Sequence, residues 1–187
     1  MSPSSEALAG PILWFANRGT GMVLLVLYTL VVVLGLGSAA GSGPGRRVPR
    51  FVAQGLHRTL ALLASLLLLA HVVTAVADDY VDIRWFDAVL PVGGLYRPVF
   101  LGLGALSLDL LVAVGLTSAL RGRLSDRVWR RVHLAAYPSW AAAVVHTLGI
   151  GTDLTTSWGR WTVAACVCAV SVAAIARTVG RLAPARP

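Results

Sequence analysis

The chain has 187 residues, of which 57% are apolar and only 13% charged, with a mean hydropathy of +0.76. Soluble domains carry about 25% charged residues, so the composition excludes an ordinary soluble enzyme and points to a helical bundle in a membrane. The formal charge of +8 comes from sixteen basic residues, all arginine. They fall in short loops between apolar runs rather than on one basic face or tail, which argues against nucleic acid as a partner. The absence of lysine reads as the codon usage of a GC-rich bacterial genome.

Five spans are expected in chain order, each near the ~20 apolar residues that a crossing helix needs. The first covers about Pro11 to Gly37 and opens on the polar stretch Asn17-Arg18-Gly19-Thr20-Gly21. It has no basic lead and no cleavage site after a short apolar core, so it reads as a retained helix rather than a signal peptide. Gly-Ser-Gly-Pro-Gly at 41–45 marks a loop. Gly35-Leu-Gly37 followed by Ala40 resembles a dinucleotide motif, but it ends a membrane helix and lacks the strand–turn–helix setting, so it is discarded. The second span, about Phe51 to Ala77, carries His57 and His71. Pro91, Gly93 and Gly94 place the next loop.

The third span, about Pro98 to Ser118, contains Asp109, an acid at membrane depth. Such a residue is costly there, and a proton relay or a hydrogen bond to a neighbouring helix would each justify it; the structural role is favoured. The fourth, about Val132 to Ile150, carries His133, Pro138, Trp140 and His146. The fifth, about Arg160 to Ala176, holds the only two cysteines, Cys166 and Cys168, which read as packing residues. The expectation is therefore an all-α, five-span bundle forming a single domain over 1–187, with its core at about 11–176.

Twelve arginines fall on one side of this topology and four (Arg18, Arg84, Arg97 and Arg160) on the other. The positive-inside bias puts the N-terminus outside and the C-terminus in the cytoplasm of a bacterial inner membrane, with Asp78, Asp79, Asp82, Asp87 and Asp153 also outside. Spans two and four then run parallel. His57 and His133 share the inner depth, and His71 and His146 share the outer one. The fourteen-residue step from His57 to His71 is ~21 Å of helix, enough for two stacked metal centres. Two imidazoles at each depth saturate a haem iron for electron transfer, so the four histidines, the only ones in the chain, suggest two bis-histidine haems. One spacing is awkward. At ~100° per residue the thirteen steps from His133 to His146 leave the pair ~140° apart, and Pro138 offers a kink or a tightening to realign it. Trp140, between the two depths, is a core aromatic by default and a candidate electron-transfer bridge.

At this point the sequence resembles a known family. The histidine pairs and the flanking motifs LWFANRGTG, GLHR, LLAHVVTAVADDYV, WRRVHLAAYPSW and HTLGIGTD look like the small bacterial members of the ferric reductase-like transmembrane domain family, shared by ferric reductases and NADPH oxidases. The resemblance covers roughly residues 11–176. It implies two noncovalent haems b with His57, His71, His133 and His146 as axial ligands. Arg58, Arg130 and Arg131 near the inner site, and Arg18, Arg84 and Arg97 near the outer one, become candidates for haem propionate contacts. The larger relatives carry a flavin and nicotinamide domain after the bundle, and this chain ends at Pro187. The expectation is that flavin belongs to a partner protein and that self-contained ferric reductase activity is absent.

The function expected is a membrane b-type cytochrome. It would pass electrons from a cytoplasmic flavoprotein reductase or from quinol to an outer-face acceptor, either a periplasmic protein or a ferric complex. Two alternatives stand beside it: the haem-bearing membrane anchor subunit of a periplasmic reductase, as in methionine-sulfoxide reductase systems, and a non-redox structural or transport bundle. Lipid is the remaining partner.

Overall fold

The structure is a computed structural model that describes residues 3–38, 49–78 and 81–182, with side chains of 3–11 and Arg50 not described. The loop expected at 41–45, Arg46, Arg47, Asp79 and Arg186 lie outside the described residues. Apart from the segment 81–97 and short joins, the described residues are helical, with no strand among them. The elements are α1 (Pro3–Ser38), α2 (Arg50–Ala77), α3 (Pro98–Ala119), α4 (Asp126–His133), α5 (Ala136–Ile150) and α6 (Ser157–Leu182), with 3₁₀ turns at Arg121–Arg123 and Thr152–Thr155. Four helices are long and apolar enough to cross a membrane: Ile12–Gly37, Phe51–Ala77, Pro98–Ala119 and Ser157–Leu182.

The packing is that of a bundle in lipid rather than in water. Leu62, Leu66, Leu69 and Val73 recur at helical spacing on α2, and Val172, Ile175, Val179 and Leu182 do so on α6; all eight are exposed. An exposed apolar stripe is expensive in water and neutral in hydrocarbon, where the helix satisfies its own backbone. Small and polar residues lie inside instead. The Ser139 hydroxyl, fully buried, donates to the Ser107 carbonyl at 2.9 Å and lies 3.2 Å from the Ser107 hydroxyl, joining α3 to α5. Tyr28 donates to the Ala136 carbonyl at 2.9 Å, joining α1 to α5. α1 packs on α2, α5 and α6, while α3 packs on α4 and α5. α2 has α1 as its main neighbour, so the side of α2 that faces α3 and α5 is not filled by direct helix packing.

The fourth expected span is divided, and the division has a cause. Pro138 has no N–H to give the Leu134 carbonyl, which accepts from Tyr137 N at 3.1 Å instead. Ala135 N likewise reaches only to the Val132 carbonyl, at 2.9 Å. These i→i−3 bonds make the join a tightened, 3₁₀-like turn between α4 and α5, with Pro138 seated in the first turn of α5, where proline is tolerated. Each tightened step adds ~20° of rotation to the ~100° of an α-helix, which moves His146 towards the face of His133.

The connection from α2 to α3 is an ordered loop. Arg84 binds Asp87 through Nε at 2.8 Å and Nη2 at 2.9 Å, and also reaches the Gly93 carbonyl at 3.0 Å. Arg97 closes the loop in the left-handed region at φ 39°, uncommon for a residue with a side chain. Its carbonyl accepts from Phe100 N and Leu101 N, both at 3.0 Å, and its guanidinium donates to the Gly149 carbonyl at the C-terminal end of α5. A cation suits that end of a helix dipole. Gly102 lets the loop lie against α3, since a Cβ there would overlap the Pro91 carbonyl.

Candidate haem sites

The four histidines lie at two levels. At one, the rings of His57 and His133 stand 6.2 Å apart between centres, inclined by 60°. At the other, His71 and His146 line one cavity of about 260 Å³, together with Trp14, Arg18, Gly21, Tyr28 and Gly104.

Three of the histidines are held in the same way. His57 Nδ1 lies 3.0 Å from the Val31 carbonyl, His71 Nδ1 3.1 Å from the Asn17 carbonyl, and His146 Nδ1 2.9 Å from the Phe100 carbonyl. A carbonyl can only accept, so Nδ1 carries the proton in each ring and the lone pair is on Nε2. Each acceptor lies four residues before a glycine of the same helix: Val31 before Gly35, Asn17 before Gly21, Phe100 before Gly104. At Gly104 and Gly21 the imidazole crowds the space where a side chain would begin, and at Gly35 it lies at ordinary contact distance from it. An added Cβ would lie 3.4 Å from His57 at Gly35, 3.0 Å from His71 at Gly21, and 2.5 Å from His146 at Gly104. α1 therefore carries two glycines fourteen residues apart, running antiparallel to two histidines fourteen residues apart on α2. That matched spacing is a signal the sequence contained and the histidine reading passed over. Gly35, set aside as part of a spurious nucleotide motif, is the seat of His57.

His133 departs from this pattern. Fourteen residues beyond Gly104 stands Ser118, whose hydroxyl is 3.5 Å from His133 Nδ1, at the limit of a hydrogen bond. The His133 ring is stacked on Trp129 instead, with centres 4.8 Å apart and planes inclined by 22°.

The arginines singled out by sequence have the following places. Arg18 is paired with the buried Asp153 and lies 5.1 Å over the Trp14 ring. Arg84 is engaged by Asp87 and Arg97 by Gly149, as described above. Arg58, Arg130 and Arg131 are exposed. Asp109 is partly buried in α3. Cys166 is buried and Cys168 exposed, and neither forms a disulfide. Trp140 donates from Nε1 to the Thr29 hydroxyl at 3.0 Å and packs against both core clusters, one around Leu25 and Val144, the other around Tyr28 and Val32.

The donor set can be tested against haem. A ligating histidine normally gives its second ring N–H to a carbonyl or carboxylate, which fixes the tautomer and strengthens the ligating nitrogen. Three of four imidazoles here meet that condition through backbone carbonyls. The His71–His146 pair lines a cavity shared by residues of α1, α2, α3 and α5, and the His57 and His133 rings stand 6.2 Å apart. The residues present therefore fit bis-imidazole coordination.

Comparison with known proteins agrees with this geometry. The family model described as the ferric reductase like transmembrane component matches residues 20–144. The matched stretch includes His57, His71 and His133 and ends two residues before His146. No curated protein and no solved structure matches the chain. With the greater part of its length matched, the chain belongs to the ferric reductase-like transmembrane family and is a multi-pass membrane protein.

Proposed function

We propose that this family member is a dihaem b-type cytochrome that carries electrons across a bacterial inner membrane. The observation that supports it best is the pairing of four half-buried histidines at two levels, three with Nδ1–H committed to a backbone carbonyl. His57 and His133 would hold one haem, and His71 and His146 the other. Haem supplies an iron that takes up and releases one electron, and two axial imidazoles reserve it for electron transfer.

The protein's own part is to orient and to insulate. Backbone carbonyls hold the imidazole planes, glycines admit the rings, and the lipid-facing leucines and valines keep water from both levels. The arginine bias favours the N-terminus outside, so His57 and His133 lie on the cytoplasmic side. The donor in this reading is a cytoplasmic flavoprotein reductase or quinol. The acceptor is a periplasmic protein or a ferric complex at the His71–His146 end.

Pyridine haemochrome assay of the purified protein, against protein concentration, should give two haems b per chain with low-spin spectra. A ratio near one would refute the dihaem reading, and no haem would refute the cytochrome. In liposomes, NADH or NADPH alone should leave the haems oxidised. A cytoplasmic reductase should reduce them at a rate that falls with salt, since Arg123 and Arg127 are exposed beside the inner level. Rapid reduction by quinol without added protein would replace the flavoprotein with a quinol donor.

A further inference from the structure

Among the described residues, His133 lacks what holds the other three histidines: no backbone carbonyl meets its Nδ1 and no glycine lies beneath it. What it has is Trp129, one helical turn earlier on α4, lying nearly parallel to it at 4.8 Å. The indole has a second neighbour. The Arg121 guanidinium carbon sits 4.3 Å from the centre of the Trp129 ring, and Arg121 is itself held by Asp126 at 2.8 Å. Asp126 opens α4, and Ser125 caps that helix by accepting from Val128 N at 3.4 Å. A carboxylate, a guanidinium, an indole and an imidazole thus form one column, from the loop surface to a histidine of the candidate site.

The indole is held by its faces alone. Trp129 Nε1 is buried and has no hydrogen-bond partner, so no polar contact fixes the ring. A buried donor left unpaired is unfavourable, and the ring is held by a cation–π contact from Arg121 and by stacking on His133.

We propose that Trp129 is the positioning residue of His133, doing by stacking what Val31, Asn17 and Phe100 do for the other three histidines by hydrogen bonding, with Arg121 clamping it from outside. The proposal rests on the reading of His133 as a haem ligand. It assigns a role to a side chain that touches neither the metal nor a redox partner, and it makes the His57–His133 level sensitive to a surface arginine while the His71–His146 level is not.

The test is haemin titration of the apoprotein in detergent, with electron paramagnetic resonance of the loaded protein, for wild type, Trp129→Leu, Trp129→Phe and Arg121→Gln. Trp129→Leu should weaken one of two haem sites about tenfold and broaden its low-spin signal, because the imidazole plane is no longer fixed. The other site should keep its affinity and its signal, which shows that the bundle is folded. Trp129→Phe keeps an aromatic face and loses only an N–H that bonds to nothing, so it should bind within about twofold of wild type with an unbroadened signal. Arg121→Gln should broaden the signal less than Trp129→Leu does. Wild type that binds no haem would overturn the cytochrome reading itself. Wild type that binds two haems, with Trp129→Leu matching it in affinity and signal, would overturn the role of Trp129 alone. The role would also fall if Trp129→Phe were as damaging as Trp129→Leu. Should Trp129→Leu lose both haems by unfolding, the Phe and Gln variants still decide.

Discussion

The two ends of this bundle hold their histidines to different standards. At the His71–His146 end both rings donate to backbone carbonyls, both lie over helical glycines, and the paired Arg18 and Asp153 line the same cavity. His71 is clamped further by Asn17, whose side chain donates to the His71 carbonyl at 3.1 Å. At the His57–His133 end only His57 has a carbonyl and a glycine. Its partner relies on a stacked indole in a short helix interrupted before Pro138. One end is fixed by main chain, which mutation alters little, and the other by side chains that can yield. A structure built this way has a rigid level and a tunable level.

The largest effects should come from removing ligands, and they should be separable. His71→Ala should abolish one haem and His57→Ala the other, because ~21 Å of helix lies between them. Haem stoichiometry falling from two to one in each case, with distinct spectral components lost, is the expected result. Loss of both haems from either single change, in a protein that remains folded, would end the two-level description.

Next come the glycines, which grade the comparison. Overpacking a fitted site costs ~1–3 kcal/mol, or from about fivefold to somewhat over a hundredfold in affinity at ~1.4 kcal/mol per decade. Gly104→Ala places its Cβ 2.5 Å from His146 Nδ1, against the very atom that bonds Phe100. It should lie at the upper end of that range. Gly21→Ala, at 3.0 Å from His71, should cost less, and Gly35→Ala, at 3.4 Å from His57, should be nearly silent. Haem affinity of the three variants checks the order; equal losses would mean that the glycines serve helix packing generally and not the imidazoles.

Much of this was legible in the sequence. Hydropathy alone located α1, α2, α3 and α6, since lipid demands long apolar runs whatever the packing. The four histidines stood out because ionisable groups are rare at such depth. The glycine seats were harder to see: nineteen glycines are scattered through the chain, and only antiparallel packing shows which of them face an imidazole. The carbonyl acceptors were not legible at all, because a backbone oxygen leaves no mark in a residue's identity. The break at 134–135 was half visible. Pro138 announced a disturbance, but the interruption came on its N-terminal side, at the carbonyl that the proline left without a donor. Trp129 was hidden by its neighbours, reading as one more residue of an arginine-rich loop.

Asn17 tests a smaller difference between the ends. Its side chain gives the His71 carbonyl a hydrogen bond that has no counterpart at His57 among the described residues, and such bonds contribute ~0.5–1.5 kcal/mol. Asn17→Ala should leave the Nδ1 acceptor in place, since that is main chain, and weaken haem at this level about three- to tenfold. A thermal melt with haem bound should show the same modest loss. An unchanged affinity would assign Asn17 to helix packing.

The smallest effects belong to the two ion pairs outside the spans, which repeat the contrast in miniature. Asp87 has 1% of its side chain exposed and takes both the Arg84 guanidinium and the Arg84 backbone N–H. Asp126, 71% exposed, meets Arg121 at one atom. The guanidinium in each case holds the carboxyl below its ordinary value, by hydrogen bonding first and charge second for Asp126, and chiefly by hydrogen bonding for Asp87. A depressed folded value means that each pair stabilises above the unfolded value of about 3.9 and loses that contribution as pH falls through the folded one. Acid should therefore loosen the 84–93 loop, which Arg84 ties to the Gly93 carbonyl, as pH falls below the ordinary carboxylate value. The exposed Arg121–Asp126 pair should already be weakened at neutral pH by raised salt. Amide exchange, corrected for its intrinsic pH dependence, reads both regions at once. Asp87→Asn should raise exchange across 84–93 at pH 7, and Asp126→Asn should change α4 little. If the two variants loosen their regions equally, burial does not separate these pairs and the contrast between the ends is confined to the histidines.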